Sequence, residues 1–218
     1  GMATKIPPHN LTEVINALVN MIEDGNKADN SKITFDYLEN ITTLEDLKAL
    51  TKERFPLFSS EIELETLLQH VTGPDFPTGA EIYDAKEIAQ MYATGRGKVV
   101  MRAVANIEEA KGGKFRIIIT ELPYQVNKAR LVTKIADLVK DKKIEGISDL
   151  RDESSKTIRV VVDLKRDAKP KTVLNKLYKY TEMQSPFNSN MLALVDGEPK
   201  LLNLKRILEL FVQHRQQI

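Results

Sequence analysis

The residues with the clearest potential chemistry lie near the start of the chain, where Ile6 precedes Pro7 and Pro8. Pro7 has a fixed φ and biases Ile6 toward extended backbone, so this loop is stiff. An apolar side chain on a rigid loop can enter a base step of duplex DNA, unstack it and kink the duplex. The alternative is that Ile6 is a buried anchor for the loop, and the residues alone favour that alternative.

The polar residues around Ile6 are of types that bind phosphate groups. Lys5 offers a point charge, while His9 and Asn10 offer short hydrogen-bond donors. Asn10 also precedes a predicted helix as its N-cap, a use that competes with phosphate binding. The loop therefore contributes Lys5, Ile6, His9 and Asn10 as candidate DNA contacts.

Arg96 and Lys98 form a second candidate site, on either side of Gly97 and directly after Gly95. Glycines let the backbone approach a ligand closely, and two cations at such a place suit a phosphate backbone. The alternative is a turn into a strand with two solvated cations.

Asn127, Lys128 and Arg130 form a third candidate site at the start of a predicted helix. The free N–H groups and the positive dipole end of a helix favour an anion. The alternative is a helix cap with two exposed cations. Lys165 and Arg166 are weaker candidates of the same kind.

Composition excludes several kinds of site. The chain has no cysteine, which rules out disulfides, thiolate metal sites and cysteine nucleophiles. Its three histidines are far apart, so a histidine metal site is not expected. The acids Asp149, Asp152 and Glu153 are interpreted as ion-pair or turn residues rather than as metal ligands. No apolar run approaches the roughly 20 residues that span a bilayer, so no membrane partner is expected.

The net charge of +1 hides a strong asymmetry along the chain. Residues 23–65 carry 5 basic and 11 acidic side chains, whereas residues 122–143 carry 6 basic and 2 acidic ones. Residues 165–180 carry 6 basic side chains and 1 acidic one. The basic segments suit contact with a phosphate backbone, or they are solvated helix faces.

Hydrophobic periodicity predicts both helices and strands. The predicted helices are Leu11–Glu23, Thr43–Lys52, Ile62–Val71, a helix capped by Asn127 that runs to about Lys142, Thr172–Met183, and a final helix capped by Asn203. The predicted strands are an alternating run from Val99 to Ile107, then Phe115–Leu122, Ile147–Glu153, Ile158–Leu164 and an extended segment through Met191–Val195. Because hairpins dominate, the predicted class is α+β, a mostly antiparallel sheet with flanking helices.

Several segments in a fixed order resemble the A subunit of the bacterial type IIA DNA topoisomerases, gyrase and topoisomerase IV. The longest is Glu121–Ser154, and the shorter ones are Gly1–Asn10, Gly73–Thr78, Ala93–Lys98, Asn190–Leu194 and Leu202–Lys205. Within the longest segment, Asn127–Leu131 is more similar to gyrase than to topoisomerase IV.

The resemblance implies a domain organisation. Residues 1–25 correspond to the exit of a winged-helix cleavage domain and a first helix, and residues 61–202 to the tower domain. Residues 203–218 correspond to the start of a coiled-coil helix. Residues 26–60 look like a helical, acidic insertion, which we interpret as a lineage-specific surface or partner-binding element.

The resemblance also implies a function. Such enzymes cut, pass and reseal duplex DNA in an A2B2 assembly that introduces negative supercoils, with ATP and Mg²⁺ bound by the B subunit. The expected partners are double-stranded DNA, a second A subunit and the gyrase B subunit, in the bacterial cytoplasm with the chromosome. In the family, an isoleucine corresponding to Ile6 wedges into the DNA, and the tower supports the outer DNA arms. The alternatives are a topoisomerase IV fragment, which would decatenate DNA, and a stand-alone nucleic-acid-binding module.

The resemblance finally predicts that this chain has no catalytic residue. The family's DNA-cleaving tyrosine follows an arginine upstream of the segment that resembles Gly1–Asn10, and no Arg-Tyr pair occurs here. Lys179–Glu182 looks similar to that motif but falls on a helix that the family places at the far end of the tower. We therefore do not expect Tyr180 to be a nucleophile.

Overall fold

A computed structural model describes residues 3–26, 43–46, 57–110 and 112–218. The helices are α1 (Leu11–Asp24), α2 (Leu64–His70), α3 (Ala85–Thr94), α4 (Lys128–Lys140), α5 (Pro170–Tyr180) and α6 (Leu204–Gln217). The strands are β1 (Glu81–Tyr83), β2 (Arg96–Arg102), β3 (Val104–Ala110), β4 (Lys114–Glu121), β5 (Ile147–Asp152), β6 (Val160–Leu164), β7 (Gln184–Asn190), β8 (Leu192–Val195) and β9 (Glu198–Leu201).

The described strands form three sheets in which every strand pair is antiparallel. A three-stranded sheet has the order β1-β2-β7, a four-stranded sheet has the order β3-β4-β6-β5, and β8 and β9 form a hairpin. The hairpin turns at Asp196 and Gly197, which both have positive φ, as a type I′ turn requires. The predicted α+β class with mostly antiparallel sheets is confirmed.

The described residues form two hydrophobic cores. The first core joins the three-stranded sheet to α1, α2, α3 and α6, and its largest fully buried side chains include Tyr92, Met21 and Met91. The second core lies between the four-stranded sheet and α4 and α5, with Ile117, Ile119 and Ile135 at its centre. The first core thus combines residues of the predicted 1–25 segment with both ends of the predicted 61–202 tower.

The predicted strand from Val99 to Ile107 is wrong as one element. The chain leaves the three-stranded sheet after Arg102 and enters the four-stranded sheet at Val104. Val99 and Met101 are buried in the first core, whereas Ala103 is buried in the second. A period of two continues across the break because both strands bury alternate residues, so the pattern does not reveal which core receives them.

The sequence did not predict β1 or α3. Asp84 caps α3 by accepting a hydrogen bond from the Glu87 N–H, and Gly95 ends it in the left-handed region. Ile88, Met91 and Tyr92 are buried at helical spacing. The Ala93–Lys98 segment therefore contains a helix end as well as the start of β2.

The final predicted extended segment, which reaches Val195, contains two strands, β7 and β8, and β9 follows the turn at Asp196 and Gly197. The first of them carries Pro186, and it pairs along its whole length with β2. Proline cannot donate a ladder hydrogen bond, and it is tolerated here because β7 is an edge strand of its sheet.

The two ends of the predicted insertion meet. The Asn26 N–H donates to the Ser59 carbonyl at 3.0 Å, and the Ser59 N–H donates to the Asn26 side chain at 2.9 Å. Phe58 is a buried residue beside them, held by the Gln213 side chain, which donates to its carbonyl at 2.6 Å. Residues 44–46 of the predicted Thr43–Lys52 helix are helical, and the remainder lies outside the described residues.

Candidate nucleic-acid interface

The loop that carries Ile6 is fixed to the edge of the three-stranded sheet. The Lys5 N–H donates to the Asn190 carbonyl at 2.9 Å, and the Asn190 N–H donates to the Lys5 carbonyl at 2.9 Å. On the other side of Ile6, the Asp75 N–H donates to the Pro8 carbonyl at 2.9 Å. The loop is therefore held by hydrogen bonds before and after Ile6.

The Ile6 side chain is 45% exposed, although Pro7 beside it is buried. It stands at a shallow pocket of about 370 Å³, whose other walls include Tyr124, Gln125 and Phe187. A buried anchor would lose nearly all of its exposure, so the exposed fraction argues against the buried-anchor interpretation.

Of the other candidate residues in this loop, Lys5 is the one that remains exposed beside Ile6. The Lys5 ammonium lies 4.6 Å from the centre of the Phe187 ring, a cation–π contact at the edge of the same pocket. The residue itself is exposed. Its charge can therefore turn toward a phosphate close to Ile6.

His9 and Asn10 are engaged within the protein. The His9 Nε2 atom lies 2.8 Å from the Tyr92 hydroxyl, and burial lowers the pKa of the His9 ring. The Asn10 Oδ1 atom accepts hydrogen bonds from the N–H groups of Thr12 and Glu13 at 3.0 and 3.3 Å. The geometry thus favours a packing role for His9 and the helix cap for Asn10.

Arg96 connects the second candidate site to the first. Its Nε atom donates to the Asn190 side chain at 3.2 Å, and that side chain donates to the Ala3 carbonyl at 2.6 Å. Arg96 and Lys98 lie two apart on β2 and so project from the same face of the strand. Both are exposed, and they extend the basic surface that begins at Lys5.

The glycines of this segment serve packing. A Cβ atom at Gly97 would lie 2.6 Å from the Met91 Cβ atom, so β2 passes too close to α3 for any side chain. A Cβ at Gly95 would lie 2.3 Å from the Leu202 carbonyl oxygen, and Gly95 has a φ of +77°. The close approach that these glycines permit is therefore to α3 and to the segment before α6.

The third candidate site lies at the start of α4. The Asn127 side chain caps the helix by accepting the Arg130 N–H at 3.0 Å. The Lys128 ammonium lies 2.7 Å from the Asp152 carboxylate and lowers the pKa of Asp152 to about 2. The Arg130 side chain is 79% exposed and lies 4.0 Å from Glu182, so it is the member of this set most available to an anion.

The acids that were interpreted as ion-pair residues do form ion pairs. Asp149 lies 2.6 Å from Arg151, and Glu153 lies 3.2 Å from both Arg151 and Arg159. Arg151 lowers the pKa of Asp149 and of Glu153. Among the described residues there is no group of three or more His, Cys, Asp or Glu side chains that could hold a metal ion.

Sequence reasoning missed Asn190 and Tyr124. Asn190 joins the Ile6 loop to β2, and Tyr124 stacks on Phe76 with ring centres 5.4 Å apart. Both residues lie in segments that carried the family resemblance. Their partners, Ala3 and Arg96 for Asn190 and Phe76 for Tyr124, are distant in the sequence, so spacing along the chain does not reveal these contacts.

None of the described helices combines the length and the apolar character that crossing a membrane requires. The described residues form antiparallel sheets, and basic residues lie around the exposed Ile6 at the edge of one sheet. This combination suits a nucleic-acid-binding protein.

Comparison with known proteins shows the family. Residues 46–218 match the model of the DNA gyrase/topoisomerase IV family of A subunits, and the chain belongs to that family.

Individual relatives are similar over the whole chain. The chain is 46% identical over 220 residues to the DNA gyrase A subunit of Escherichia coli strain K12, with 100% of this chain and 21% of the relative covered. It is 47% identical over 221 residues to the DNA gyrase A subunit of Pseudomonas aeruginosa, with 100% of this chain and 20% of the relative covered. It is 46% identical over 216 residues to the DNA gyrase A subunit of Metamycoplasma arthritidis, with 99% and 20% covered. The chain thus spans about a fifth of the length of these curated relatives.

Proposed function

We propose that this chain is the DNA-bending and DNA-positioning part of a gyrase A subunit. The observation that carries the proposal is the exposed Ile6 side chain on a loop held at Lys5 and at Pro8. Unstacking one base step costs a few kcal/mol, so a wedge needs a backbone that does not yield when it meets the duplex. Lys5, Arg96 and Lys98 would hold the phosphates beside the kink.

The whole protein is proposed to act as the relatives' name indicates. All three relatives are named as A subunits of DNA gyrase, which supports gyrase over topoisomerase IV. Since the chain spans about a fifth of those relatives, we place it within a longer A subunit rather than in a stand-alone nucleic-acid-binding module. That subunit would pair with two B subunits and with a second A subunit to introduce negative supercoils.

The remaining chemistry is assigned to other parts of the assembly. ATP and Mg²⁺ would be bound by the B subunit, and the DNA-cleaving tyrosine would lie outside this chain. This part alone would neither cut nor supercoil DNA. Since its substrate would be the bacterial chromosome, the proposed location is the cytoplasm.

The test replaces Ile6 by alanine in the full-length A subunit combined with its B subunit. The bend is measured by energy transfer between dyes at the two ends of a duplex of about 30 bp, a length over which bending costs several kcal/mol. We expect Ile6→Ala to lose most of the bend and at least about tenfold in supercoiling rate, since an alanine cannot replace the unstacking wedge. Stability should change by about 0.5 kcal/mol or less, because Ile6 is exposed.

The control is Leu194→Ala, which removes an apolar side chain that is 74% exposed on the β8–β9 hairpin. This variant should bend DNA like the wild type. An Ile6→Ala protein with an unchanged bend would show that Ile6 is no wedge and would remove the basis of the proposal.

A further inference from the structure

A contact between two side chains, His9 and Tyr92, joins the Ile6 loop to α3. The His9 Nε2 atom lies 2.8 Å from the Tyr92 hydroxyl, and the two ring centres are 5.7 Å apart. Tyr92 is fully buried in the first core. In the part of the chain that the structure describes, its hydroxyl has no other hydrogen-bond partner. Since a buried hydroxyl needs a partner, this contact helps to hold the loop against the helix.

The surroundings of the two rings determine which atom donates. Burial raises the pKa of the Tyr92 hydroxyl, and the negative charge of Glu13 on α1 raises it further, so the phenol keeps its proton. Burial lowers the pKa of His9 from its ordinary value of 6.5, although the Pro7 carbonyl and Glu13 both favour the charged ring. At neutral pH the Tyr92 hydroxyl therefore donates to the Nε2 atom of a neutral ring, whose proton is on the other nitrogen.

Pro7 and Pro8 connect this contact to Ile6 through a stiff backbone. Both prolines have a fixed φ, and each restricts the residue before it to extended geometry. Few backbone torsions between Ile6 and His9 are therefore free to change. A shift of the His9 ring consequently moves Ile6 as well, because the intervening backbone has little freedom to absorb it.

The helix to which His9 is attached belongs to the same packed unit as the other side of the loop. At Gly97, β2 passes so close to α3 that a Cβ atom would lie 2.6 Å from the Met91 Cβ atom. In turn, β2 pairs along its length with β7, and the last residue of β7, Asn190, exchanges backbone hydrogen bonds with Lys5. The backbone on both sides of Ile6 is thus attached to one support.

We propose that His9 is a positioning residue for DNA bending, which holds Ile6 in place by accepting a hydrogen bond from Tyr92. This inference rests on the proposed DNA-bending function and adds a pair of residues that does not touch DNA. Stacked bases resist the wedge, so a loop with a weaker support would yield and leave the duplex straight. Functional side chains depend on such supporting contacts for their exact position. The pair should therefore affect the bend and leave the phosphate contacts unchanged.

The first test is Tyr92→Phe in the full-length A subunit combined with its B subunit. This change removes the hydroxyl and keeps the buried ring. The matched control is Tyr178→Phe, which removes a hydroxyl that donates to the Ala103 carbonyl at 3.0 Å beside the second core. Each variant loses one hydrogen bond of a tyrosine, so a general loss of stability should be similar in both. Urea midpoints check that it is.

The bend is measured by energy transfer across an end-labelled duplex of about 30 bp. We expect Tyr92→Phe to lower the ratio of bent to straight duplex about two- to tenfold, the effect of one hydrogen bond. The salt dependence of its binding should match that of Tyr178→Phe, because the number of phosphate contacts is unchanged. Tyr178→Phe should bend DNA like the wild type.

The pH dependence of the bend gives a second readout. A protonated imidazole has two donors and no acceptor, so the Tyr92 hydroxyl would lose the atom to which it donates. In the wild type and in Tyr178→Phe, the bend should weaken as the pH falls below 6.5, through the lowered pKa of His9.

Two substitutions of His9 separate the hydrogen bond from the rest of the side chain. His9→Gln has a side-chain oxygen that can accept the same bond and does not titrate. It should bend DNA like the wild type at neutral pH and keep the bend on acidification. His9→Leu has no acceptor, so it should bend DNA as weakly as Tyr92→Phe at every pH.

Two results would overturn the inference. If Tyr92→Phe and His9→Leu bent DNA like the control while Ile6→Ala lost the bend, the pair would not position the wedge, although the proposed function would stand. If His9→Leu bound DNA more weakly while Tyr92→Phe bound and bent it normally, His9 would be a direct DNA contact. An unchanged bend in Ile6→Ala would instead remove the proposed function, and the inference with it.

Discussion

At the scale of single residues, the candidate DNA contacts divide into those that face solvent and those that the protein itself uses. Ile6, Lys5, Lys98 and Arg130 are exposed. His9 contacts Tyr92, Asn10 and Asn127 cap helices, and Lys128 is paired with Asp152. Asparagine and histidine serve caps and packing as readily as ligands, so their type alone could not separate these roles.

Tyr180 is the residue whose local motif most resembles a nucleophile. It ends α5, is 44% exposed, and lines a cleft of about 790 Å³ between α4 and the end of α5. We expect Tyr180→Phe to leave DNA cleavage and supercoiling by the full-length protein with its B subunit unchanged, since only the hydroxyl is removed. The measurement is plasmid supercoiling together with the yield of covalent DNA–protein complex. A variant that forms no covalent complex would make Tyr180 the nucleophile after all.

At the scale of elements, ion pairs connect β5 of the four-stranded sheet to β6 and to the start of α4. Arg151 on β5 contacts Asp149, Glu153 and Asp163, and it lies opposite the buried Val161 in the sheet. Lys128 joins the start of α4 to the end of β5 through Asp152. These pairs are exposed to solvent, so each contributes little at neutral pH and high salt.

This arrangement predicts a sensitivity to acid. The pKa of Asp152 is lowered to about 2 by Lys128, and Arg151 lowers the pKa of Asp149 and Glu153. A carboxylate with a depressed folded-state pKa stabilises the fold above its unfolded pKa near 4. That contribution is lost as the pH falls from about 4 to about 2. The urea midpoint should fall over this range.

Lys128→Gln isolates one part of this effect. Without the ammonium group, the Asp152 carboxylate loses the main interaction that lowers its pKa. The free energy of unfolding of the variant should therefore fall less on acidification than that of the wild type. Urea midpoints are measured at neutral pH and at two acidic pH values, one near and one below the unfolded-state pKa of about 4. The control is Lys86→Gln, which removes one positive charge from a different part of the surface. If the urea midpoint fell equally on acidification in the wild type and in Lys128→Gln, the pairing of Lys128 with Asp152 would not be a source of the acid sensitivity.

At the scale of the whole molecule, the junction between the two cores decides where the four-stranded sheet stands relative to the Ile6 loop. The chain crosses the junction at Ala103 and again between α5 and β7. The Arg102 guanidinium lies 4.3 Å from the Tyr83 ring and 5.4 Å from the Tyr178 ring, and its Nε atom donates to Gln184 at 2.6 Å.

A second group of contacts crosses the same junction. Tyr124, which follows β4, stacks on Phe76 and lies 6.5 Å from Phe187, both of which belong to the first core. The Ala80 N–H donates to the Glu121 carboxylate at 2.6 Å. The Ile6 loop and the four-stranded sheet are therefore held in one relative position by side chains as well as by the chain crossings.

Replacing Arg102 by alanine should loosen this junction. The loss of two cation–π contacts is expected to cost about 1–2 kcal/mol. Backbone amides of β1 and of the end of α5 should exchange hydrogen faster, whereas those of α1 should exchange as in the wild type. Arg102→Lys, which keeps the charge but loses the planar stacking surface, should give an intermediate result. Equal exchange in the wild type and Arg102→Ala would show that the two chain crossings alone fix the junction.

The sequence by itself determined the class, most of the elements of the second core and the family. Strands Phe115–Leu122 and Ile147–Glu153 and the helix capped by Asn127 were predicted to within about three residues of the observed β4, β5 and α4. These are local patterns, and apolar periodicity with a cap or a turn is enough to specify them. The stiffness of the loop at Pro7 and Pro8 is likewise a local property of proline.

Only the tertiary structure decided how these parts are combined. It divided the alternating run from Val99 to Ile107 between two sheets, because burial against either core produces the same period of two. In the tertiary structure Ile6 is exposed while Pro7 is buried, and the Asn190 side chain joins the loop to β2 through hydrogen bonds. Exposure and pairing depend on which distant segments meet, and no local pattern encodes that information.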